Sequence, residues 1–450
     1  MLIASSALPT DQMEVKFTKK SIVKAFNLLP EHHHKLITLS NLDLLSGRFP
    51  VTYLYFYHRP SINNLSSTVE SLKSSLAETL SYYYPFAGRI TEDPDTSEPI
   101  IICDNTGALL VEAQANIPLR KLDLYNINDS LQGKLVSIDP NFPLQVQVTH
   151  YTCGGVSMTF TFDHALGDAS AFGKFLSSWS QVARKMPLSC IPDHGRNLRP
   201  RLAPTYHPCL DQTFVKCTLE EIRNIPKTNI LLKRLYYVDA SSINKLQSLA
   251  CADGNKRTKI EAFSAYIWKV MVTAIDKSHA KCKMGWLVDG RGRLNGSMSN
   301  YIGNVLSVAI EEASIVEIKQ GSISEIANNV HEAISKVANE AHFLDLIDWI
   351  ECHKPGLMLP KVVLGRGGPA LVLSSGHRFP VAELDFGLGS PVLGTVSSII
   401  EKSGVGYMNQ RPSARSDGSW IVSAIIWPEL AAALESDSVF QPLCASHLQI

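Results

Sequence analysis

Two hydrophobic periods alternate along the chain and divide it into helices and strands. Apolar residues three or four positions apart predict amphipathic helices over residues 67–84, 169–183, 258–271 and 323–337, with a last helix opening at Pro428. Alternating, β-branched or aromatic runs predict strands over residues 15–23, 53–57, 100–103, 109–113, 144–150, 156–162, 286–288, 370–373, 394–400 and 420–427. Both halves of the chain mix the two kinds of element, so we expect an α/β fold class.

A proline-rich stretch separates the two halves. Residues 186–210 contain five prolines, and such a stretch cannot form a regular helix or a central strand. A long connection of this kind more often joins two domains than lies inside one. We therefore predict domains over residues 1–185 and 211–450, joined by a crossover loop over residues 186–210.

Composition excludes several classes of protein. The 450 residues are 45% hydrophobic and 19% charged, which allows a sizeable core. Lys+Arg and Asp+Glu both number 42, and this balance argues against nucleic acid as a partner. The nine cysteines have long spacings without a disulfide or zinc pattern, which favours a reducing compartment such as the cytoplasm. The sequence predicts no signal peptide and no membrane span.

Several common catalytic motifs are missing from the sequence. It contains no P-loop, no G-x-S-x-G nucleophile elbow and no H-E-x-x-H zinc helix. The adjacent His32, His33 and His34 suggest a metal site at first sight. Three adjacent residues cannot all face one ion on a regular element, so we interpret them as a solvated loop and predict no metal site.

The predicted strand–turn–helix over residues 156–183 contains a His-x-x-x-Asp motif formed by His164 and Asp168. His164 ends a buried-type strand, Gly167 tightens the turn, and Asp168 occupies the N-cap position of the helix. A neutral imidazole at such a turn is held rigidly yet open to a cleft, as a general base requires. These residues alone leave a purely structural histidine equally open.

The same spacing recurs at His207 and Asp211 and provides an internal control. This second pair lies in the proline-rich stretch, with no predicted strand before it and no predicted helix after it. Nothing would hold its imidazole in place, so we expect no function there.

Several blocks, in order, resemble the plant BAHD acyltransferases, which transfer acyl groups from coenzyme A (CoA) thioesters to alcohols or amines. His164 and Asp168 match the family signature H-x-x-x-D. The stretch Asp385-Phe-Gly-Leu-Gly389 matches D-F-G-W-G, with Leu388 in place of Trp. Further blocks similar to the family lie at residues 39–43, 84–88, 288–293 and 301–304. Residues 409–448 are similar to coniferyl alcohol acyltransferase-like members.

The resemblance implies a fold of two similar mixed-sheet domains, chloramphenicol-acetyltransferase-like, joined by a long crossover loop that residues 186–210 fit. A channel would run between the domains, with acyl-CoA entering from one side and a small alcohol or amine acceptor from the other. Acyl-CoA would be a co-substrate, and no further cofactor is implied. We expect a monomer that binds neither nucleic acid nor membrane.

Residue roles also follow from the resemblance. His164 would be the general base, and Asp168 would pair with Arg291 to shape the loop that presents it. Structural support is expected from Gly167, Arg291, Asp385, Gly387 and Gly389. Contacts with acyl-CoA are expected from Ser374, Ser375 and Asn304.

One departure from the family pattern lies eleven residues before the signature Asp. Many members have Thr-Ser-Trp there, whose hydroxyl and indole contact the reacting groups, whereas this chain has Ser374-Ser375-Gly376. Ser374 keeps a hydroxyl that could stabilise an oxyanion. Gly376 removes the indole, so either the acceptor pocket is roomier or another group supplies the contact. Leu388 is a milder change because a large apolar side chain remains.

Three functions follow from these residues. We predict an acyl-CoA-dependent O-acyltransferase acting on a phenylpropanoid-type alcohol, with N-acylation of an amine as its close alternative. A CoA-binding protein without turnover is the second, because both Trp positions are altered. A thioester hydrolase is the third, because water could use the same base and oxyanion site.

Overall fold

A computed structural model describes residues 13–27, 31, 34–58, 65–126, 131, 133–136, 138–225, 231–275, 278–294, 298–365, 368–398 and 405–450. Its strands, numbered in chain order, are β1 Val15–Val23, β2 Lys35–Thr38, β3 Pro50–Tyr57, β4 Arg89–Glu92, β5 Pro99–Cys103, β6 Ala108–Ala115, β7 Leu144–His150, β8 Val156–Asp163, β9 Phe214–Cys217, β10 Leu232–Val238, β11 Lys281–Asp289, β12 Leu306–Ser314, β13 Leu357–Pro360, β14 Ala370–Ser375, β15 Leu393–Ser398, β16 Gly406–Pro412, β17 Trp420–Ile426 and β18 Gln441–Pro442. The described α-helices are α1 Asn41–Ser46, α2 Leu65–Tyr82, α3 Ala169–Ala183, α4 Leu210–Thr213, α5 Leu219–Arg223, α6 Ala240–Ala250, α7 Lys259–Ala274, α8 Ile315–Gln320, α9 Ile323–Val337, α10 Glu340–His353 and α11 Pro428–Glu435.

Two large mixed sheets form the centres of the molecule. The first has six strands in the order β1-β6-β7-β8-β3-β15, and its β6–β7 pair is parallel while the others are antiparallel. The second has seven strands in the order β12-β11-β14-β16-β17-β10-β18, with parallel pairing of β14 to β11 and to β16. The structure therefore confirms the two-domain α/β fold expected from the sequence.

One segment of the second half crosses into the first sheet. Strand β15 pairs antiparallel with β3, from Leu393 opposite Phe56 to Ser398 opposite Val51. Just before it, residues 379–388 pack five apolar side chains into the core of the first sheet. A tyrosine hydroxyl on β3, that of Tyr57, donates to the backbone oxygen of Leu384 at 2.9 Å. The two domains are therefore joined by a strand ladder as well as by the crossover loop.

Local sequence explains where the main helices begin. Thr258 before α7 and Ser322 before α9 each accept from a backbone N–H, and the glutamate three positions on accepts from the cap backbone. Asp168 caps α3 through the Ala171 N–H. These caps satisfy backbone donors that a helix cannot satisfy within itself, so each helix starts at a defined residue.

The sequence patterns predict ten of the eighteen described strands and five of the eleven described α-helices. Helix α10 escaped detection because it is buried on several sides, so its apolar residues do not form a single stripe. Strand β10 was missed as well, since Lys and Arg interrupt its apolar run. Within the ranges the structure describes, no helix has the length and apolar character needed to cross a bilayer.

Candidate active site

His164 lies at the junction of a strand and a helix. Strand β8 ends at Asp163, a short 3₁₀ turn covers His164–Leu166, and α3 follows. The His164 N–H donates to the Phe49 backbone oxygen at 3.0 Å, and the imidazole stacks on the Phe49 ring with 4.6 Å between centroids. Among the described residues, no group hydrogen-bonds to the buried Nδ1 of His164. Backbone and stacking contacts thus hold the ring and leave Nδ1 without a hydrogen bond from another described residue.

Burial sets the charge state of this histidine. Desolvation lowers the pKa of His164 below its usual value of 6.5, although Asp168, Asp163 and Asp43 act in the opposite direction. Burial disfavours the charged imidazolium more than these carboxylates favour it. The ring is therefore neutral at cellular pH and can accept a proton.

The first of two buried ion pairs is formed by Asp168, which follows the turn, and Arg291. Asp168 is 1% exposed and accepts from Arg291 Nη1 at 2.7 Å and from the Val305 N–H at 3.0 Å, besides capping α3. Burial would raise the pKa of Asp168, but Arg291 and the hydrogen bonds outweigh it, and the pKa is lowered. Arg291 Nη2 also donates to the Gly303 backbone oxygen at 2.7 Å. Asp168 is thus directed at Arg291, as the resemblance implied.

Gly167 lets the turn close against this pair. Its φ is +154°, and a Cβ at this position would lie 2.6 Å from the Cβ of Ala171 in the first turn of α3. A side chain there would push the helix start away from the turn.

The second buried ion pair is formed by Asp43 and Arg196. Asp43, at the start of α1, is fully buried and accepts from Arg196 Nη1 at 2.6 Å. Asn304 donates to the same Asp43 oxygen from its backbone N–H at 2.7 Å and from Nδ2 at 2.9 Å. Three distant segments of the chain therefore meet at one carboxylate.

This second pair acts directly on the histidine turn. Arg196 Nη2 donates to the Leu166 backbone oxygen at 2.8 Å, and Asn304 Nδ2 donates to that of His164 at 2.9 Å. The sequence pattern gave no role to Asp43 or Arg196. The family-like block at residues 39–43 was a signal for the former, whereas Arg196 lies in a loop without any pattern.

A third polar group lies at the carboxyl ends of β14 and β16. Arg411 Nε donates to Asn409 Oδ1 at 2.8 Å, and Asn409 Nδ2 donates to Ser374 Oγ at 3.1 Å. A guanidinium can only donate, which fixes the amide orientation and makes Ser374 Oγ an acceptor from Asn409. The Ser374 hydroxyl can therefore donate its own proton, and the buried Tyr407 side chain is within its hydrogen-bonding range.

The comparison with known proteins gives the family. The sequence profile of the Transferase family matches residues 13–439, nearly the whole chain. The chain belongs to this family, the plant BAHD acyltransferases. The resemblance that the motifs indicated is therefore confirmed, and the protein is an acyl-CoA-dependent acyltransferase.

Its relatives act on several kinds of acceptor. The chain is 29% identical to anthranilate N-benzoyltransferase protein 1 of Dianthus caryophyllus, covering 90% of this chain and 95% of that one. It is 28% identical to an omega-hydroxypalmitate O-feruloyl transferase of Arabidopsis thaliana, with coverages of 90% and 89%. A shikimate O-hydroxycinnamoyltransferase of Nicotiana tabacum is 27% identical, with coverages of 93% and 97%.

Two solved structures share the fold of this BAHD acyltransferase. Vinorine synthase superposes with a TM-score of 0.69 at 18% identity, covering 93% of this chain and 96% of that chain. F. graminearum TRI101 complexed with ethyl coenzyme A superposes with a TM-score of 0.74 at 16% identity, covering 90% and 99%.

Arg411 occupies the space that the family's usual Trp would need in this BAHD acyltransferase. A Cβ at Gly376 would lie 2.7 Å from Arg411 Cγ and 2.9 Å from the backbone oxygen of Gln410. The guanidinium carbon lies 4.6 Å from the Tyr53 ring centroid and 4.1 Å from that of Phe379. The absence of a side chain at Gly376 therefore makes room for the buried Arg411 side chain.

The second signature motif forms a tight turn. Asp385 Oδ1 accepts from the N–H groups of Gly387 and Gly389, both at 2.8 Å, and the two glycines have φ of +86° and +82°. Leu388 is 4% exposed and packs in the core of the first sheet. These contacts are structural, and the apolar core accommodates Leu in place of Trp.

The remaining residues singled out from the sequence lie apart from the site. His207 is exposed, and Asp211 accepts from the Trp349 indole at 2.8 Å. His32 and His33 lie outside the described residues. The described part of the chain contains no cluster of three or more His, Cys, Asp or Glu that could hold a metal ion.

We expect Asp43→Asn to impair both folding stability and turnover. The change leaves the buried guanidinium of Arg196 without its counter-charge, so the free energy of unfolding should fall by about 3–5 kcal/mol. Loosening the turn should lower kcat by roughly 10²-fold. Chemical denaturation and initial-rate kinetics measure the two effects. Asp95→Asn, at an exposed position, is the matched control, and equal behaviour of the two variants would contradict a role for Asp43.

We expect Gly376→Ala to destabilise the protein through contact with Arg411. Overpacking of this kind costs about 1–3 kcal/mol in the free energy of unfolding. The cost should shrink in an Arg411→Ala background, where Cγ is gone, so a double-mutant cycle by denaturant unfolding should show coupling. Gly292→Ala, where an added Cβ meets nothing within 4 Å, is the control. Strict additivity would refute the steric explanation.

Proposed function

We propose that this acyltransferase transfers an acyl group from acyl-CoA to the hydroxyl of a small phenylpropanoid-type alcohol, with His164 as general base. The observation that carries the proposal is the position of the His164 imidazole, whose pKa is lowered by burial, on a turn between two buried Asp–Arg pairs. Relatives named for O-acylation of shikimate and of fatty alcohols support an alcohol acceptor.

The geometry supports the following steps. The acceptor hydroxyl gives its proton to His164, and its oxygen forms a bond to the thioester carbonyl carbon. The tetrahedral intermediate carries its negative charge on the former carbonyl oxygen. Its collapse breaks the carbon–sulfur bond, expels CoA thiolate and returns the proton from the imidazolium to the sulfur. Asp168 pairs with Arg291 and holds the turn rather than taking part in proton transfer.

Ser374 is the group we propose for stabilising the oxyanion. Asn409 donates to its Oγ, so its own O–H can donate, and we propose that it turns from the neighbouring Tyr407 to a substrate oxygen. One such donor contributes about 3–4 kcal/mol to the transition state. Thioester transfer with a base and an oxyanion donor requires no metal or redox cofactor, so we propose acyl-CoA as the sole co-substrate.

Contacts with CoA remain a proposal for Ser374, Ser375 and Asn304. Ser375 is exposed at the end of β14, where a cofactor can reach it. Asn304 is fully buried and donates inward, so its contact would use the buried Oδ1, which has no partner among the described residues. We also propose that the enzyme acts as a monomer in the cytoplasm.

An amine acceptor is the second candidate. Relatives named for N-benzoylation of anthranilate and for hydroxycinnamoyl transfer to putrescine favour it. The same base and oxyanion donor would serve an amine without change.

We expect thiol release from acyl-CoA to depend on an alcohol acceptor. The panel crosses acetyl-CoA, benzoyl-CoA and hydroxycinnamoyl-CoA with coniferyl alcohol, shikimate, a fatty alcohol, anthranilate and putrescine, and products are identified by mass spectrometry. His164→Ala should abolish the release because it removes the base. Release with amines alone would establish N-acylation, and release without any acceptor would indicate a hydrolase. CoA binding without release from any pair would favour a binding protein.

We expect the acid limb of kcat/KM to have its midpoint below pH 6.5. The pKa of His164 is lowered by burial, so the neutral, basic form persists to lower pH than for a free imidazole with pKa 6.5. Activity should therefore fall only as the pH drops through that lowered pKa. The measurement is the initial rate between about pH 4.5 and 8.5, a range of about four pH units around the reference pKa of histidine. The folded state of the enzyme is checked at each pH. A midpoint at or above 6.5 would contradict the assigned environment.

A further inference from the structure

Arg411 is a buried cation at the meeting point of the two domains. Arg411 is 2% exposed, and its side chain is among the largest fully buried ones in the described part of the chain. It lies on β16 of the second sheet, and its guanidinium faces the ring of Tyr53 on β3 of the first sheet. Burial raises the pKa of Tyr53, and Arg411 opposes that shift while Asp168 adds to it. Tyr53 is therefore within the electrostatic field of both the arginine and the catalytic turn.

Little in the described chain compensates this charge. Arg411 donates from Nε to the neutral amide of Asn409 and also interacts with the Tyr53 hydroxyl, and its buried Nη1 has no partner among the described residues. Within the described ranges, no carboxylate lies within 4.0 Å of the guanidinium. The arginines of the two buried ion pairs differ from Arg411, because Arg196 and Arg291 each pair with a buried aspartate. Burying a cation without a counter-charge is unfavourable, and aromatic faces offset only part of that cost.

The guanidinium is also connected to the reaction centre. Asn409 links it to Ser374, the proposed oxyanion donor. On the other side, ring contacts run from Arg411 to Tyr53, from Tyr53 to Phe162 and from Phe162 to His164, the last two with centroids 5.9 and 6.4 Å apart. One side chain, Asn409, thus separates Arg411 from Ser374, and two rings, those of Tyr53 and Phe162, separate it from His164.

We propose that Arg411 binds a carboxylate of the substrate, which makes this enzyme selective for an acceptor or an acyl group that carries a carboxylic acid. The inference rests on the proposed acyl transfer and adds the substrate's charge to it. A guanidinium and a carboxylate match in planar geometry, and a pair of parallel N–H···O bonds would use Nη1. Gly376 leaves room for this arginine, because a Cβ there would lie 2.7 Å from Arg411 Cγ. The carboxylate belongs either to the acceptor or to a dicarboxylic acyl group.

Binding measurements with matched acid and neutral probes test the proposal without requiring turnover. Isothermal titration calorimetry would compare anthranilate with methyl anthranilate for the acceptor, and malonyl-CoA with acetyl-CoA for the donor. The wild-type protein should prefer the acid in at least one pair by about tenfold, as expected for a charge-assisted bidentate contact. Arg411→Gln should remove that preference, and Arg411→Lys should reduce it. Arg378→Gln, at an exposed arginine two residues after Gly376, should leave it unchanged.

Each outcome is decisive for the carboxylate site. Loss of preference in the anthranilate pair supports an acceptor carboxylate, and loss in the malonyl-CoA pair supports an acyl carboxylate. No wild-type preference in either pair overturns the proposal, and this reading holds even if the Arg411 variants do not fold. A preference that persists in folded Arg411→Gln overturns it as well. Thiol release that fails with every pair, while the acid preference is present, would count against the transferase function alone.

Discussion

The position of His164 depends on the pairing of buried carboxylates with arginines from distant parts of the chain. Asp168 pairs with Arg291, and Asp43 pairs with Arg196. Arg196 donates directly to the turn that carries the imidazole, whereas Asp168 follows that turn in the chain and caps α3. A buried carboxylate without its partner is strongly unfavourable. The Asp168–Arg291 pair joins the two halves of the chain, and the Asp43–Arg196 pair joins the first half to the loop over residues 186–210. The catalytic geometry is therefore a property of the whole folded chain rather than of the motif.

Sequence patterns revealed the parts of this arrangement that are local. The strand–turn–helix around His164, the N-cap at Asp168 and the amphipathic helix α9 all follow from spacing within a few residues. The pairing of Asp43 with Arg196 does not follow from the sequence, because the two residues lie 153 positions apart and only Asp43 lies in a family-like block. Resemblance gave the family and the Asp168–Arg291 pair, which no spacing rule would supply.

The altered family position shows a second limit of sequence reasoning. The sequence shows that Gly376 lacks the indole that many family members have at this position. This change allows two explanations, which are a roomier pocket or another group in place of the indole. The structure favours replacement, since Arg411 from the neighbouring strand fills the space. The two residues lie on different strands, and nothing in the sequence connects a glycine with an arginine 35 positions later. Only the parallel pairing of β14 and β16 places them together.

The strand exchange restricts how the enzyme can move. Strand β15 leaves the second half of the chain and hydrogen-bonds to β3, so the domains share a ladder in addition to the loop over residues 186–210. A hinge rotation that separated the domains would have to break this ladder and expose the apolar side chains packed beside it. Wide opening and closing around a hinge is thus disfavoured. Substrates therefore reach His164, and products leave it, while the two sheets stay joined.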